Sequence, residues 1–308
     1  MMLFSPPKDL PTTVFARIPD KFRIHDRSSH WVTMQRGSKP TDCFLEGPSF
    51  DRAGNLYVVD VAYGRVFRIS PDGRDIDLIT EYDGAPNGLK IHKDGRIFIA
   101  DYKNGIMLLN PNNGEVTPYL VRDGEKEFKG VNDLVFASNG DLYFTDQGLT
   151  GLHDPTGKLY RYTQNGHLEC LLDTVPSPNG LILNQEENMV YLNVTRANAV
   201  WRVPLLPDGG VMKVGTFIQL SGGHGGPDGL AMDAEGNLVV AHVGMGAVWL
   251  FSSLGEPLYR IHTCQGLATT NVAYGGADNR TLYITESESG CVLQCRMTVE
   301  GRTLYSHM

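Results

Sequence analysis

The stretch Gly225–His242, GGPDGLAMDAEGNLVVAH, decides how the rest of the chain is read. A Gly-Gly-Pro turn leads into one polar residue, Asp228, and then a short apolar run, Gly229–Met232. Asp233–Asn237 carries the Asp, Gly and Asn of a tight turn, and a second apolar run, Leu238–Ala241, follows it. The phrase recurs. EGPSFDRAGNLYVVD begins at Glu46, PNGLKIHKDGRIFIAD at Pro86 and VNDLVFASNGDLYFTD at Val131; PNGLILNQEENMVYLN begins at Pro178 and TNVAYGGADNRTLYITE at Thr270. Aligned on their turns, the copies place Glu46, Asn87, Asn132, Asn179, Asp228 and Asn271 at one position just before the first run. The successive steps are 41, 45, 47, 49 and 43 residues. A third apolar run follows each pair, at Val66–Ile69, Ile106–Leu109, Leu159–Tyr162, Val200–Val203, Val248–Phe251 and Val292–Cys295, and usually a fourth follows that.

A unit of about 40–50 residues carrying four short strands is the pattern of a propeller blade. No long segment has the 3.6-residue apolar period that a helical bundle or a βαβ fold would need. The expected fold is all-β, a six-bladed β-propeller with four-stranded blades. It is expected to be one domain over residues 1–308, with the blade repeats over 46–308 and an N-terminal closing strand and loop over 1–45. Thr13–Ile18 alternates as a strand and is expected to complete the sixth blade, which ends thinly at Thr303–Ser306; that closure hides two sheet edges. Residues 22–44 are polar and turn-rich, with Trp31 and Met34 as anchors. They read as a long loop, packed on the side of the propeller or lying over the channel mouth. The third repeat carries an insertion, Gln147–Gly157, and a loop on a rigid β scaffold is a common place for binding, or simply a solvated surface loop.

The chain has 308 residues and a formal charge of −8, with an isoelectric point near 5.6. That balance argues against nucleic acid or an anionic membrane surface as partner. No apolar run is long enough to span a bilayer, and MMLFSPPKDLP lacks the basic-then-apolar order of a secretory leader. Five scattered cysteines (Cys43, Cys170, Cys264, Cys291 and Cys295) fit reduced thiols, so the expected location is the cytoplasm. Nothing in the sequence sets the oligomeric state.

In a propeller, equivalent positions of successive blades are related by rotation about the central axis. The six aligned residues should therefore ring one mouth of the channel. Each offers a side-chain oxygen and none an imidazole or thiolate, the inventory of a hard cation with six to eight oxygen ligands, Ca2+ above all. Glu46 and Asp228 would balance its charge. Mg2+ and Mn2+ are alternatives with more water ligands, and Zn2+ is a further one, although it prefers His or Cys. Asn and Asp are also ordinary turn residues. Turn chemistry alone, however, would place Ser, Gly, Thr or Lys at some of the six positions.

The phrases FLEGPSFDRAGNLYVVD, GVNDLVFASNGDLYFTD, PSPNGLILN and GHGGPDGLAMDAEGNL resemble the SMP-30/gluconolactonase/luciferin-regenerating family, whose bacterial lactonases look especially similar around His224–Asp228. The likeness covers the chain from Phe44 onward. It implies a six-bladed propeller with a divalent cation, usually calcium, at the channel mouth, and hydrolysis of a small-molecule lactone, such as a sugar lactone of the gluconolactone type. The family's metal-binding Glu falls on Glu46, its Asn on Asn179 and its Asp on Asp228; a further Asn beside metal and substrate falls on Asn132. Asn87 and Asn271 align with the ring, but the resemblance gives them no role. Many members carry an arginine and a serine-proline before the Asn-Asp pair. Here the run is Phe128-Lys129-Gly130-Val131, so that Lys129 is the residue available for substrate contact.

Such a site would work by a cation polarising the lactone carbonyl and activating a water, with Asp228 as the base that takes the water's proton. Glu46 would balance charge, and Asn179 and Asn132 would act as neutral ligands or substrate contacts. No nucleophilic serine is required, and no G-x-S-x-G elbow is present. His224 could bind substrate or shuttle a proton, or be a turn residue without a role. Strand alternation turns Asp133 away from the ring, into a structural place. Asp60, Asp101, Asp146 and Glu286, at the ends of the second strands, should cap the following turns. Two other readings share the scaffold: a calcium-dependent phosphotriesterase or arylesterase, and a non-enzymatic NHL-like binding propeller.

Overall fold

The computed structural model describes residues 4–37 and 39–308. Six antiparallel sheets follow one another along the chain, each starting with an inner strand: Leu45–Phe50, Pro86–Ile91, Val131–Phe136, Pro178–Leu183, Gly226–Met232 and Thr269–Gly275. Each inner strand packs against the next around the ring, and the sixth packs against the first. The fold is a six-bladed β-propeller.

Six apolar cores hold it, one between each pair of neighbouring blades. Val59, Leu89 and Ile99 fill the space between blades 1 and 2, and Val272, Leu282 and Val248 that between blades 5 and 6. These strands run apolar on both faces because each sheet is covered on both sides by its neighbours.

Blade 6 is completed by the strand Thr13–Arg17, which pairs antiparallel with Cys291–Arg296. Its neighbour Lys8–Pro11 adds a fifth, parallel strand to the outside of blade 5. The Thr303–Ser306 region does not extend blade 6. After Gly301 the chain crosses the far end of the channel. Arg302 donates to the carbonyls of Leu183 and Asn184 and pairs with Glu187 at 2.9 Å. Arg52 donates to the Ser306 and Met308 carbonyls, both at 2.9 Å, and Tyr305 stacks on Phe136 at 5.2 Å. Behind this plug all six inner strands enclose a void of about 60 Å³.

At the opposite mouth, the segment expected as a loop contains a helix, His30–Arg36, with Ser29 as its N-cap accepting from the Val32 amide at 3.1 Å. Trp31 packs on Phe44 at 4.9 Å, and Gln35 donates to the Tyr102 hydroxyl at 3.1 Å, so the helix lies on the mouth. No helix among the described residues is long and apolar enough to cross a membrane.

Candidate active site at the channel mouth

Every inner strand breaks register with its partner at the ring. The irregularity falls between Glu46 and Ser49, Pro86 and Gly88, Val131 and Leu134, Pro178 and Leu181, Pro227 and Leu230, and Thr269 and Val272. A bulge inserts residues and re-aims side chains. The ring residues thus lie inside the inner strands, at their bulges, and not before them.

A repeated clamp holds these bulges. Asp60 accepts from the Phe44 amide at 2.7 Å, Asp101 from Ala85 at 3.0 Å, Asp146 from Gly130 at 2.7 Å and Glu286 from Ala268 at 3.1 Å. In each case a carboxylate at the end of the second strand holds the backbone just upstream of a ring residue. Neighbouring blades are tied as well: Thr145 donates to the Asn179 carbonyl at 2.9 Å, Asn193 to the Asp228 carbonyl at 2.6 Å, and Thr270 to the Leu45 carbonyl at 2.7 Å. Asn193 is fully buried in this packing role.

Glu46, Asn87, Asn132, Asn179 and Asp228 line one cavity of about 290 Å³, and Asn271 joins them from below. All six are buried. Glu46 Oε2 accepts from the Gly47 amide at 3.0 Å and from Asn271 Nδ2 at 2.9 Å. The Asn271 amide also reaches Asp133 Oδ2 at 3.4 Å. Asp133 therefore faces the channel, contrary to the alternation argument, because the bulge between Val131 and Leu134 puts two consecutive side chains on the inner side. Its place depends on Gly88 in the neighbouring blade 2, where an added Cβ would lie 2.5 Å from Asp133 Oδ1.

Asn132 is held through its amino group, which donates to Gln147 Oε1 at 3.0 Å, and Gln147 in turn donates to Ser177 at 3.0 Å. That leaves the buried Asn132 Oδ1 with no partner among the described residues. Asn179 lines the cavity beside Asp228, and its side chain partly offsets the upward push on that carboxyl. Gln147 is the one residue of the insertion that reaches the cavity; sequence reasoning flagged the loop, not this side chain.

Glu46, Asp133 and Asp228 make no ion pair among the described residues, although the charges of Lys90 and Arg196 act on Asp133 and Asp228 from a distance. Burial, and then the charge of Asp228, pushes the Glu46 carboxyl well above its usual range. Burial, and then the charge of Asp133, pushes Asp228 up to about 8, and burial raises Asp133. Carboxylates crowded in this way, beside an amide oxygen with no donor, are matched by a hard cation. No group of three His, Cys, Asp or Glu side chains forms a metal cluster among the described residues; the donors here are mixed carboxylate and amide oxygens.

His224 is exposed on the cavity wall. Lys129 does not reach the cavity. Its ammonium donates to Thr156 and lies 4.0 Å from Asp154, both in the insertion.

Fold and ring together define the class, a six-bladed propeller with oxygen-bearing side chains at one mouth of its channel. Residues 44–288 match the SMP-30/Gluconolactonase/LRE-like region, and the chain belongs to that family. Lactonase drp35 of Staphylococcus aureus is 33% identical over 226 residues, covering 70% of this chain and 69% of its own. Among solved structures, the calcium-binding protein regucalcin from Agrobacterium tumefaciens has a TM-score of 0.77 at 21% identity, covering 98% of this chain and 100% of that one. A gluconolactonase from Xanthomonas campestris has a TM-score of 0.73 at 22% identity, covering 92% and 97%. These two share the fold.

Proposed function

We propose that the protein hydrolyses a lactone to its hydroxy acid with the help of a divalent cation, calcium first. The observation that carries this is the group of buried carboxylates Glu46, Asp133 and Asp228 beside the unpartnered Asn132 Oδ1, in a chain related to a named lactonase. Glu46, Asn179 and Asp228 would hold the cation with Asn132 beside it, and bound there it would polarise the lactone carbonyl and acidify a water.

The protein's own groups do the rest. Asp228, whose backbone carbonyl is held by Asn193, takes the proton of the attacking water and later returns it to the leaving alkoxide. Asn271 keeps Glu46 in place as the second charge-balancing carboxylate. Gln147 turns the Asn132 oxygen toward the cavity, and the Trp31 helix limits solvent over it. A lactone is an activated ester, so no covalent nucleophile is needed. The partner is a small molecule, and the cytoplasm is the compartment that the unpaired cysteines fit.

The test is proton release from gluconolactone by metal-stripped protein, before and after adding Ca2+, with spontaneous hydrolysis subtracted. A rate that appears only with calcium supports the reading. Aryl ester or phosphotriester turnover without lactone turnover would replace it with the esterase alternative, and no calcium response of any kind would favour a binding propeller.

A further inference from the structure

The outer wall of the same cavity carries the opposite charge to its floor. Arg36 and Lys39 come from the mouth helix and the chain just after it, and Arg196 from the turn Thr195–Ala197 of blade 4. Glu288 is the one acidic residue of this outer wall, and its carboxylate is engaged by the Leu267 amide at 2.7 Å. The chain as a whole is acidic, at −8. Its surface arginines are commonly paired, as Arg27 is with Glu81, Arg68 with Asp77 and Arg296 with Asp278.

Arg36, Lys39 and Arg196 have no ion-pair partner among the described residues. The Arg36 guanidinium lies 5.2 Å from the Phe44 ring, and its Nε is buried without a partner. Set over a ring and denied a carboxylate, this arginine is oriented before any ligand arrives. Arg196 stands across the mouth beside Gly151 of the insertion, close enough for its charge to act on Asp228.

The geometry points to a lactone that carries a carboxylate. The ester carbonyl sits at the ring, and Arg36 and Arg196, with Lys39, bind the free carboxylate at the mouth. This inference rests on the lactonase reading and narrows its substrate class. A guanidinium matches a carboxylate in geometry as well as charge. Binding energy gathered there, away from the reacting carbonyl, can be used to position the ester. Unpaired cations over a negative floor would also steer an anion to an otherwise acidic protein.

The experiment compares glucarolactone, which bears a carboxylate, with gluconolactone, which does not, on calcium-loaded protein. The expected result is a kcat/KM higher for glucarolactone by about tenfold or more, carried by KM and shrinking as salt is raised. Arg36→Gln and Arg196→Gln should each reduce that ratio by about tenfold, while Arg196→Lys retains part of it. A second readout avoids turnover: glucarate should bind metal-free protein in calorimetry where the uncharged polyol sorbitol does not, and the two glutamine variants should erase the difference.

Equal kcat/KM on the two lactones, insensitive to salt, overturns the anionic substrate and leaves the lactonase standing. If neither lactone is hydrolysed, the lactonase reading fails. The calorimetry then decides the anion site alone: glucarate binding above that of sorbitol, lost in both variants, supports it, and glucarate binding no tighter than sorbitol ends it.

Discussion

Asn271 donates its amide to Glu46 Oε2 at 2.9 Å across 225 residues of sequence, and the same amide reaches Asp133 at 3.4 Å. This bond crosses the seam where blade 6 meets blade 1, beside the Thr270 hydrogen bond to the Leu45 carbonyl. One neutral donor thus mediates between two buried carboxylates from different blades.

Asn271→Ala removes that donor and leaves both acids less satisfied. A buried hydrogen bond to a charged group contributes about 1.5–3 kcal/mol, so a loss of that order is expected in chelator-treated protein. Urea denaturation with and without Ca2+ checks it. An unchanged midpoint in both conditions would mean that the bond carries no weight.

The acids also set a pH dependence. Asp228 moves from an ordinary 3.8 to about 8 on folding, chiefly through burial. The folded state then holds a proton that the unfolded state has released. Its stabilising contribution is complete below about pH 4 and is lost as the pH rises to about 8. Metal-free protein should lose stability across that interval, and Ca2+, which favours the ionised acids, should flatten the slope. Thermal melts at several pH values, with chelator and with calcium, measure both.

Asp133→Asn removes one buried charge from the group without altering its shape. The metal-free protein should become more stable and calcium affinity should fall, opposite signs in one variant. Melting temperature in chelator and calorimetric calcium titration read the two effects. A variant less stable in chelator than wild type would place Asp133 outside the repulsive group.

Glu46→Gln and Asp228→Asn should each reduce lactone turnover by about 100-fold or more while leaving circular dichroism unchanged, because each removes a charge the reaction needs. Wild-type rates in both would remove these residues from the site.

Gly88→Ala tests the close approach of two blades. Its Cβ would sit 2.5 Å from Asp133 Oδ1 and 2.8 Å from the Asp133 Cα. Overpacking of this kind costs about 1–3 kcal/mol. A wild-type melting temperature would show that the channel wall yields.

The repeat made the blades and the ring positions legible, because a phrase such as PNGLKIHKDGRIFIAD carries turn and strand signals within a few residues. Thr13–Arg17 was readable as the closing strand for the same reason. Asp133 was not. Alternation assumes an unbroken pleat, and bulges leave no mark in hydrophobicity. Arg36 and Arg196 were also hidden, since a charge in a turn or outside the aligned ring position shows its neighbours only after folding. The helix His30–Arg36 lies in a polar segment whose helical state is set by the Ser29 cap and by packing on Phe44.

The plug at the far end gives the channel a single doorway. With Arg302 fastened to blade 4 and the Met308 carbonyl held by Arg52 of blade 1, nothing passes through the axle of the propeller. Substrate enters and product departs by the same opening, beneath the same three cations. A hydrolysed lactone gains a carboxylate just as it must leave, so under the proposed anion site the charges that draw the substrate in would also hold back the product. Inhibition by the product acid, weakening as salt is raised, is the consequence expected of that arrangement.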